Sequence, residues 1–311
     1  MKTGIFIFSN KINKNNLKLT LYFFFKNYNS IYKHNIYILY DDFDDNDIIE
    51  IKSSIRDDFK NLINFKKINL YIPDNIDNDK LNEIINIEFE DWETIYQRKL
   101  NHFWLFDFWE KIAIDFDYIL KLDDDLLIEE PIREDFFNII DNRANNILFT
   151  MLKYKCSIGS YSFKNLLETN FNNDIEKVNN NFNKENINNN LNNFKKLHKL
   201  VFNKEYNENE LELFKPIVPS DSLIVMRTSF FIGNKIKPFL DRIKLLGYVF
   251  YLKWDFNLIL PLLAIMNNND KITRCIFKVS KEIDRYSINN NNKLITNKLS
   301  NYTESGCISK K

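Results

Sequence analysis

Residues 3–123 alternate short apolar runs with amphipathic stretches, and that alternation leaves few architectures open. "TGIFIFS" (3–9) is a brief run rich in Ile and Phe, the pattern of a buried strand. "NNLKLTLYFFFKNYNSIY" follows with helical spacing, and "HNIYILYDDF" predicts a second strand that ends in acids. "DNDIIEIKSSIRDDF" again has a helical period, and "KKINLYIPD" predicts a third strand stopped by Pro73. A long helix is expected over roughly 92–114, and then a strand at "FDYILKLD" (116–123). Strands alternating with helices argue for an α/β fold with a mainly parallel sheet covered on both faces. Ligands of such sheets bind beyond the carboxyl ends of the strands.

"NNILFTMLKYK" (145–155) adds a strand pattern, after which the chain changes character. Residues 165–211 include "VNNNFNKENINNNLNNFKKLHKL", rich in Asn and Lys with apolar residues at helical spacing. Surface helices and a disordered insertion are both open readings there. "KPIVPSDSLIVMRTSFF" (215–231) predicts an extended piece and then a helix, followed by a helix at "KIKPFLDRIKLLG". The tail from "INNNNKLIT" onward reads as loosely held. The whole, 1–311, is expected to be a single large α/β domain with one Asn-rich insertion.

Lys and Arg number 43, as do Asp and Glu, so the global positive field of a nucleic-acid binder is absent and a charged ligand needs a local site. Cys156, Cys275 and Cys307 are widely spaced and form neither a zinc pattern nor a disulfide framework, as expected for reduced thiols. The apolar run of "MKTGIFIFSN" is too short for a signal peptide, and "LTLYFFFKNYNSIY" is broken by Lys26 and Asn27. A soluble, cytoplasmic protein is the expectation from these features.

The chemistry concentrates in "YILKLDDDLLIEEPI" (118–132), where three aspartates follow an apolar strand. In an extended segment Asp123 and Asp125 project to one side and Asp124 to the other. Adjacent carboxylates repel unless a cation lies between them, in which case they are hard oxygen ligands for Mn²⁺ or Mg²⁺. The plainer reading is a solvated acidic turn before the helix at "PIREDFFNII". "YDDFDDND" (40–47) also follows a strand, and is read as a helix-start cap.

The order "YQRKLNHFWLFDFW…FDYILKLDDD…PI" resembles the glycolipid 2-alpha-mannosyltransferase family, the fungal α-1,2-mannosyltransferases of glycosyltransferase family fifteen. Tyr96, His102 and Phe103 fall in the first part, and Asp117, Tyr118 and Asp123 to Asp125 in the second. "MRTSFFIGNKIKPFLDRIKLLGYVFYLKWDFNLILPLLAIM" resembles the family's later segment through Arg227, Leu240, Asp241, Gly247, Tyr251, Trp254 and Asp255. The similarity runs thinly over most of the chain outside the insertion. Three positions depart from the pattern. Asp221 is the nearest carboxylate to the family's Glu, Lys253-Trp254-Asp255 lacks a Gly, and Ser287 stands after Tyr286 in place of a His.

The resemblance implies a GT-A-like α/β fold, a mixed, mainly parallel sheet flanked by helices, and retaining, Mn²⁺- or Mg²⁺-aided transfer of mannose from GDP-mannose to a glycan or glycoprotein acceptor in α-1,2 linkage. Asp123 and Asp125 would hold the metal, with Asp124 and Tyr96 joining them at the donor diphosphate. Asp221 would stabilise or attack the anomeric carbon, with Asp255 as the second catalytic acid. Trp254 and Tyr251 would line the acceptor side. Family habit also implies membrane association in the secretory pathway. Another nucleotide sugar, or a non-catalytic relative that binds a nucleotide sugar or glycan, are the alternatives. A HAD-type phosphatase would want Thr or Val where Leu127 stands, and its motif early in the chain.

Several of these residues also have structural readings. Trp254 suits a core as well as a sugar platform, and Trp92, Trp104 and Trp109 suit helix packing. Asp241 suits a surface pair with Arg242 or Lys244, and His102 a buried, hydrogen-bonded imidazole. Asp255, between Trp and Phe, needs a partner.

Overall fold

The computed structural model describes residues 1–87, 95–142, 147–150, 220–234, 236–251, 255–256, 259, 272–275, 279–280, 286–288 and 294–296. The Asn-rich insertion, the end of the tail, and Trp92, Lys253 and Trp254 lie outside the described residues.

Among the described residues, seven strands form one sheet in the order β3-β2-β1-β4-β7-β6-β8. They are β1 (Thr3–Phe8), β2 (Ile36–Tyr40), β3 (Ile63–Lys67), β4 (Tyr118–Leu122), β6 (Ile147–Thr150), β7 (Ser220–Arg227) and β8 (Ile272–Cys275). Short β5 (Leu127–Ile128) pairs with β9 (Val279–Ser280), and β10 (Tyr286–Ile288) with β11 (Leu294–Thr296). Neighbours in the large sheet are parallel except at β7, which runs against both β4 and β6. The expected mixed, mainly parallel sheet is present.

Both faces are buried, which explains the near-continuous apolar strands. Ile5, Ile7, Leu120, Leu122, Leu223 and Val225 face one core, closed by α1 (Lys14–Phe24), α3 (Asp45–Ser53) and α7 (Phe136–Asn142). The alternate residues Phe6, Ile119, Ile224 and Met226 face the other core. There they meet α5 (Ile95–His102), α6 (Phe108–Lys111), α9 (Lys237–Leu246) and α10 (Tyr248–Tyr251). The remaining helices are α2 (Ser30–Tyr32), α4 (Asn78–Ile87) and α8 (Thr228–Phe231).

The two long helices expected from periodicity are each interrupted by a π turn. Phe25–Asn29 joins α1 to α2, and Phe103–Asp107 joins α5 to α6. The first π turn turns Asn27 toward the sheet, where its side chain donates to Ile128 O at 2.5 Å and its carbonyl accepts from Ile132 N at 2.8 Å. Trp104 and Trp109 are core residues, and Trp109 stacks on Phe231 with ring centroids 3.9 Å apart.

The third strand differs from expectation. β3 is "INFKK", five residues ahead of the apolar run that suggested it, and pairs with β2 from Ile36↔Ile63 to Tyr40↔Lys67. Ile68, Leu70 and Ile72 pack on the core as irregular chain. Their alternation reports burial, not ladder pairing.

Candidate active site

The carboxyl ends of β1, β2 and β4 open on one edge of the sheet. Because β7 is antiparallel, its amino end joins them there. Leu122 pairs with Leu223, and Asp123 N donates to Ser222 O at 2.8 Å, so the ladder runs one residue past β4. The chain then turns from Asp123 to Leu126, with Leu126 N 3.4 Å from Asp123 O, before β5. The triplet is thus a turn and not an extended segment.

Its three carboxylates have different surroundings. Asp123 is half-buried and accepts from Lys121 Nζ at 2.8 Å. Lys121 interrupts the apolar strand, is 4 % exposed, and sets its ammonium 5.5 Å from the centre of the Trp104 ring. Asp124 turns inward, where its Oδ2 accepts from Ser9 Oγ at 2.6 Å and its carbonyl from Thr20 Oγ1 at 2.8 Å. Ser9 and Thr20 are fully buried. Burial raises the Asp124 pKa to about 7, the Ser9 hydrogen bond opposing and the charges of Asp123 and Asp125 adding to the rise. Asp125 is half-buried at the same turn. The like charges that made the triplet puzzling are separated by direction, and two of them are met by Lys121 and Ser9.

Register sets Asp221 beside this turn. It directly precedes Ser222, the acceptor for Asp123 N, at the start of β7. Tyr96 lies along the same edge, its hydroxyl donating to Asp41 Oδ1 at 3.0 Å and its ring 6.4 Å from that of Phe8. Burial raises the pKa of Asp41 and of Tyr96.

Tyr251, on α10, accepts from Asp77 N at 2.7 Å through its hydroxyl, with Lys80 Nζ 4.6 Å from its ring centre. That contact ties α10 to the start of α4. Asp255 is half-buried and engaged by neighbouring groups, and its carbonyl accepts from Ile259 N at 3.1 Å. Ser287 lies on β10, paired with Ile295.

Three structural readings can also be placed. "YDDFDDND" is a helix cap: Asp44 Oδ1 accepts from Asp47 N at 3.0 Å, and Asp47 Oδ2 from Asp44 N at 3.1 Å. Asp241 pairs with Lys237 at 2.9 Å, one turn before the basic residues expected to hold it. His102 is buried among Tyr71, Phe106 and Phe250, but its Nε2 has no hydrogen-bond partner. Burial lowers its pKa to about 4, the nearby Asp107 opposing.

Sequence reasoning missed Ser9, Thr20, Asn27 and Lys121 as supports of the turn. Lys121 alone left a signal, a cation inside a five-residue buried strand.

Among the described residues, no group of three or more His, Cys, Asp or Glu could enclose a metal ion. Two half-buried carboxylates at an open strand end nevertheless suit a hard cation of the Mn²⁺ or Mg²⁺ kind. Such ions keep water and phosphate oxygens as their other ligands. No described helix is long and apolar enough to cross a membrane.

No protein-family profile matches the chain, and no curated protein matches it by sequence. Solved structures do match. The mannosyltransferase Ktr4p from S. cerevisiae, in complex with GDP, superposes with a TM-score of 0.71 at 15% identity, over 92% of this chain and 72% of that one. Core-mannan synthase A (CmsA/Ktr4) from Aspergillus fumigatus, in its Mn/GDP form, gives 0.69 at 11% identity, over 88% and 72%. At such identities the likeness reports architecture, and by it the chain has the GT-A glycosyltransferase fold of these fungal mannosyltransferases.

Proposed function

We propose that the chain is a metal-dependent, retaining glycosyltransferase that moves mannose from GDP-mannose to a glycan acceptor in α-1,2 linkage. The observation that carries this reading is the acid turn at the end of β4, with Asp221 beside it on β7. The fold in which it sits is shared with a GDP-bound and a Mn/GDP-bound mannosyltransferase.

Asp123 and Asp125 would hold the cation. When bound, Mn²⁺ or Mg²⁺ neutralises charge on the departing diphosphate. Lys121 keeps Asp123 in one orientation and offsets part of the local negative charge before a donor arrives. Tyr96 and Asp41 close the neighbouring strand ends, where a nucleotide lies in open α/β sheets. Asp221 is assigned to the anomeric carbon, where a carboxylate would stabilise the positive charge that develops as the bond from C1 to the diphosphate oxygen breaks. The acceptor hydroxyl oxygen then bonds to C1, its proton passing to the released nucleotide or to solvent. Asp255 and Trp254 are assigned to the acceptor side.

A screen of nucleotide sugars with and without Mn²⁺, read by thermal shift and by nucleotide release, tests the reading. Stabilisation and GDP release specific to GDP-mannose, both lost in Asp125→Ala, are expected. Binding without release identifies a non-catalytic module, and indifference to every donor and to Mn²⁺ refutes the transferase.

A further inference from the structure

Of the three acids in the turn, the middle one faces away from the open edge. Its carboxyl is nine-tenths buried and holds Ser9 Oγ at 2.6 Å, while its carbonyl holds Thr20 Oγ1 at 2.8 Å. Ser9 is itself fixed, its N donating to Leu39 O of β2 at 3.0 Å. Asn27 grips the carbonyl of Ile128, four residues beyond Asp124, at 2.5 Å. Each of these anchors comes from the segment that leaves β1 and runs through α1 into the π turn after it, more than a hundred residues away in sequence.

We infer that Asp124 is a positioning residue, one that locks the acid turn to the end of β1 and to α1 so that Asp123 and Asp125 are presented together at the open edge. The inference rests on the proposed function for its consequence, but the contact itself does not. Without an anchor at its apex, a turn bearing three neighbouring carboxylates gains by letting them spread apart. With it, the two outer carboxylates keep one separation before any cation arrives, so less ordering is left for the binding step.

The test uses the full chain and the variants Ser9→Ala, Thr20→Val, Asp124→Asn, Asp124→Ala and, as a ligand control, Asp125→Ala. Amide hydrogen exchange of the peptide spanning 122–128 is followed without metal or nucleotide. Mn²⁺ binding in the presence of GDP is followed by the electron spin resonance of the free ion. Ser9→Ala and Asp124→Ala are expected to speed exchange of that peptide and to weaken Mn²⁺ about tenfold, as loss of groups that orient metal ligands does. Thr20→Val is expected to act in the same direction. Asp124→Asn keeps a carbonyl that accepts from Ser9, and is expected to restore most of both properties. Asp125→Ala should weaken Mn²⁺ more than Asp124→Asn does.

Two results overturn the inference. In the first, Asp124→Asn loses Mn²⁺ as fully as Asp125→Ala with normal exchange, which makes the middle carboxylate a direct ligand. In the second, Ser9→Ala matches the unaltered chain in both measurements. Should no form bind Mn²⁺ with GDP while Ser9→Ala and Asp124→Ala still loosen the peptide, the anchor stands and the transferase reading fails.

Discussion

Lys121 and His102 show how single polar side chains sit within the core that α5, α6, α9 and α10 close. Lys121 is 4 % exposed, and its ammonium sits between Asp123 and Trp104. Replacing it by Met keeps the volume of the stem but leaves the turn without its built-in cation. The expected cost is about 1–3 kcal/mol in metal-free protein, below that of a fully buried pair because Asp123 keeps partial access to water. Added Mn²⁺ should recover a larger share of the melting temperature in Lys121→Met than in the unaltered chain, because the new cation takes over part of the lost role. His102 gives a pH dependence. Burial holds its folded-state pKa at about 4, below the 6.5 of an unperturbed imidazole. Between those values the unfolded chain binds the additional proton, so stability falls as pH drops from about 6.5 toward 4 and is indifferent to this group above that window. Melting curves of His102→Phe should show a flatter acid limb than the unaltered chain. An equal slope would place the acid sensitivity elsewhere.

Among the elements, α9 has the most demanding end. Gly247 follows it with φ of +67°, and a Cβ there would come within 2.6 Å of Ile76 Cδ1 and 2.9 Å of the Tyr251 ring. Gly247→Ala combines left-handed strain with a steric clash against two core neighbours. A loss of about 1–3 kcal/mol is expected, read as a shift of the denaturant midpoint at constant slope. The resemblance had marked Gly247 as a family position, and the backbone supplies a physical reason for it. Other elements were less legible. The strand at 118–122 and the helix cap at 44–47 could be read directly, because their signals lie within a few residues. β3 could not, since an edge strand carries few apolar residues while the irregular chain after it is buried. The π turns, too, leave no periodicity signal, as one added residue in a helix looks like ordinary noise in the pattern.

On the scale of the whole molecule, the sheet's order and the mixed direction at β7 place the acid turn, Asp221 and the Tyr96–Asp41 pair along one edge. The sheet class and the acids of this edge were legible, because a strand's carboxyl end is a local property. The anchors of Asp124 were not: Ser9 and Thr20 are 115 and 104 positions from it, and nothing short of the fold brings them together. The contact of the Tyr251 hydroxyl with Asp77 N was equally illegible, since the two lie 174 positions apart. If the edge binds a nucleotide diphosphate with a cation, the two should act as one ligand. GDP with Mn²⁺ at about a hundred times the dissociation constant is expected to stabilise the fold by about 2.7 kcal/mol. Differential scanning with each component alone should show a clearly smaller shift, and equal shifts would mean separate sites.

One consequence follows from the reversed direction of β7. Thr150 at the end of β6 and Ser220 at the start of β7 are register partners, so the chain sets out and comes home at neighbouring points on a single rim. A connection that starts and ends at one point can differ in length without altering the register of the paired residues behind it. A scaffold hinged in this way lets the surroundings of the rim that carries the acid turn be rewritten while the rim itself stays put.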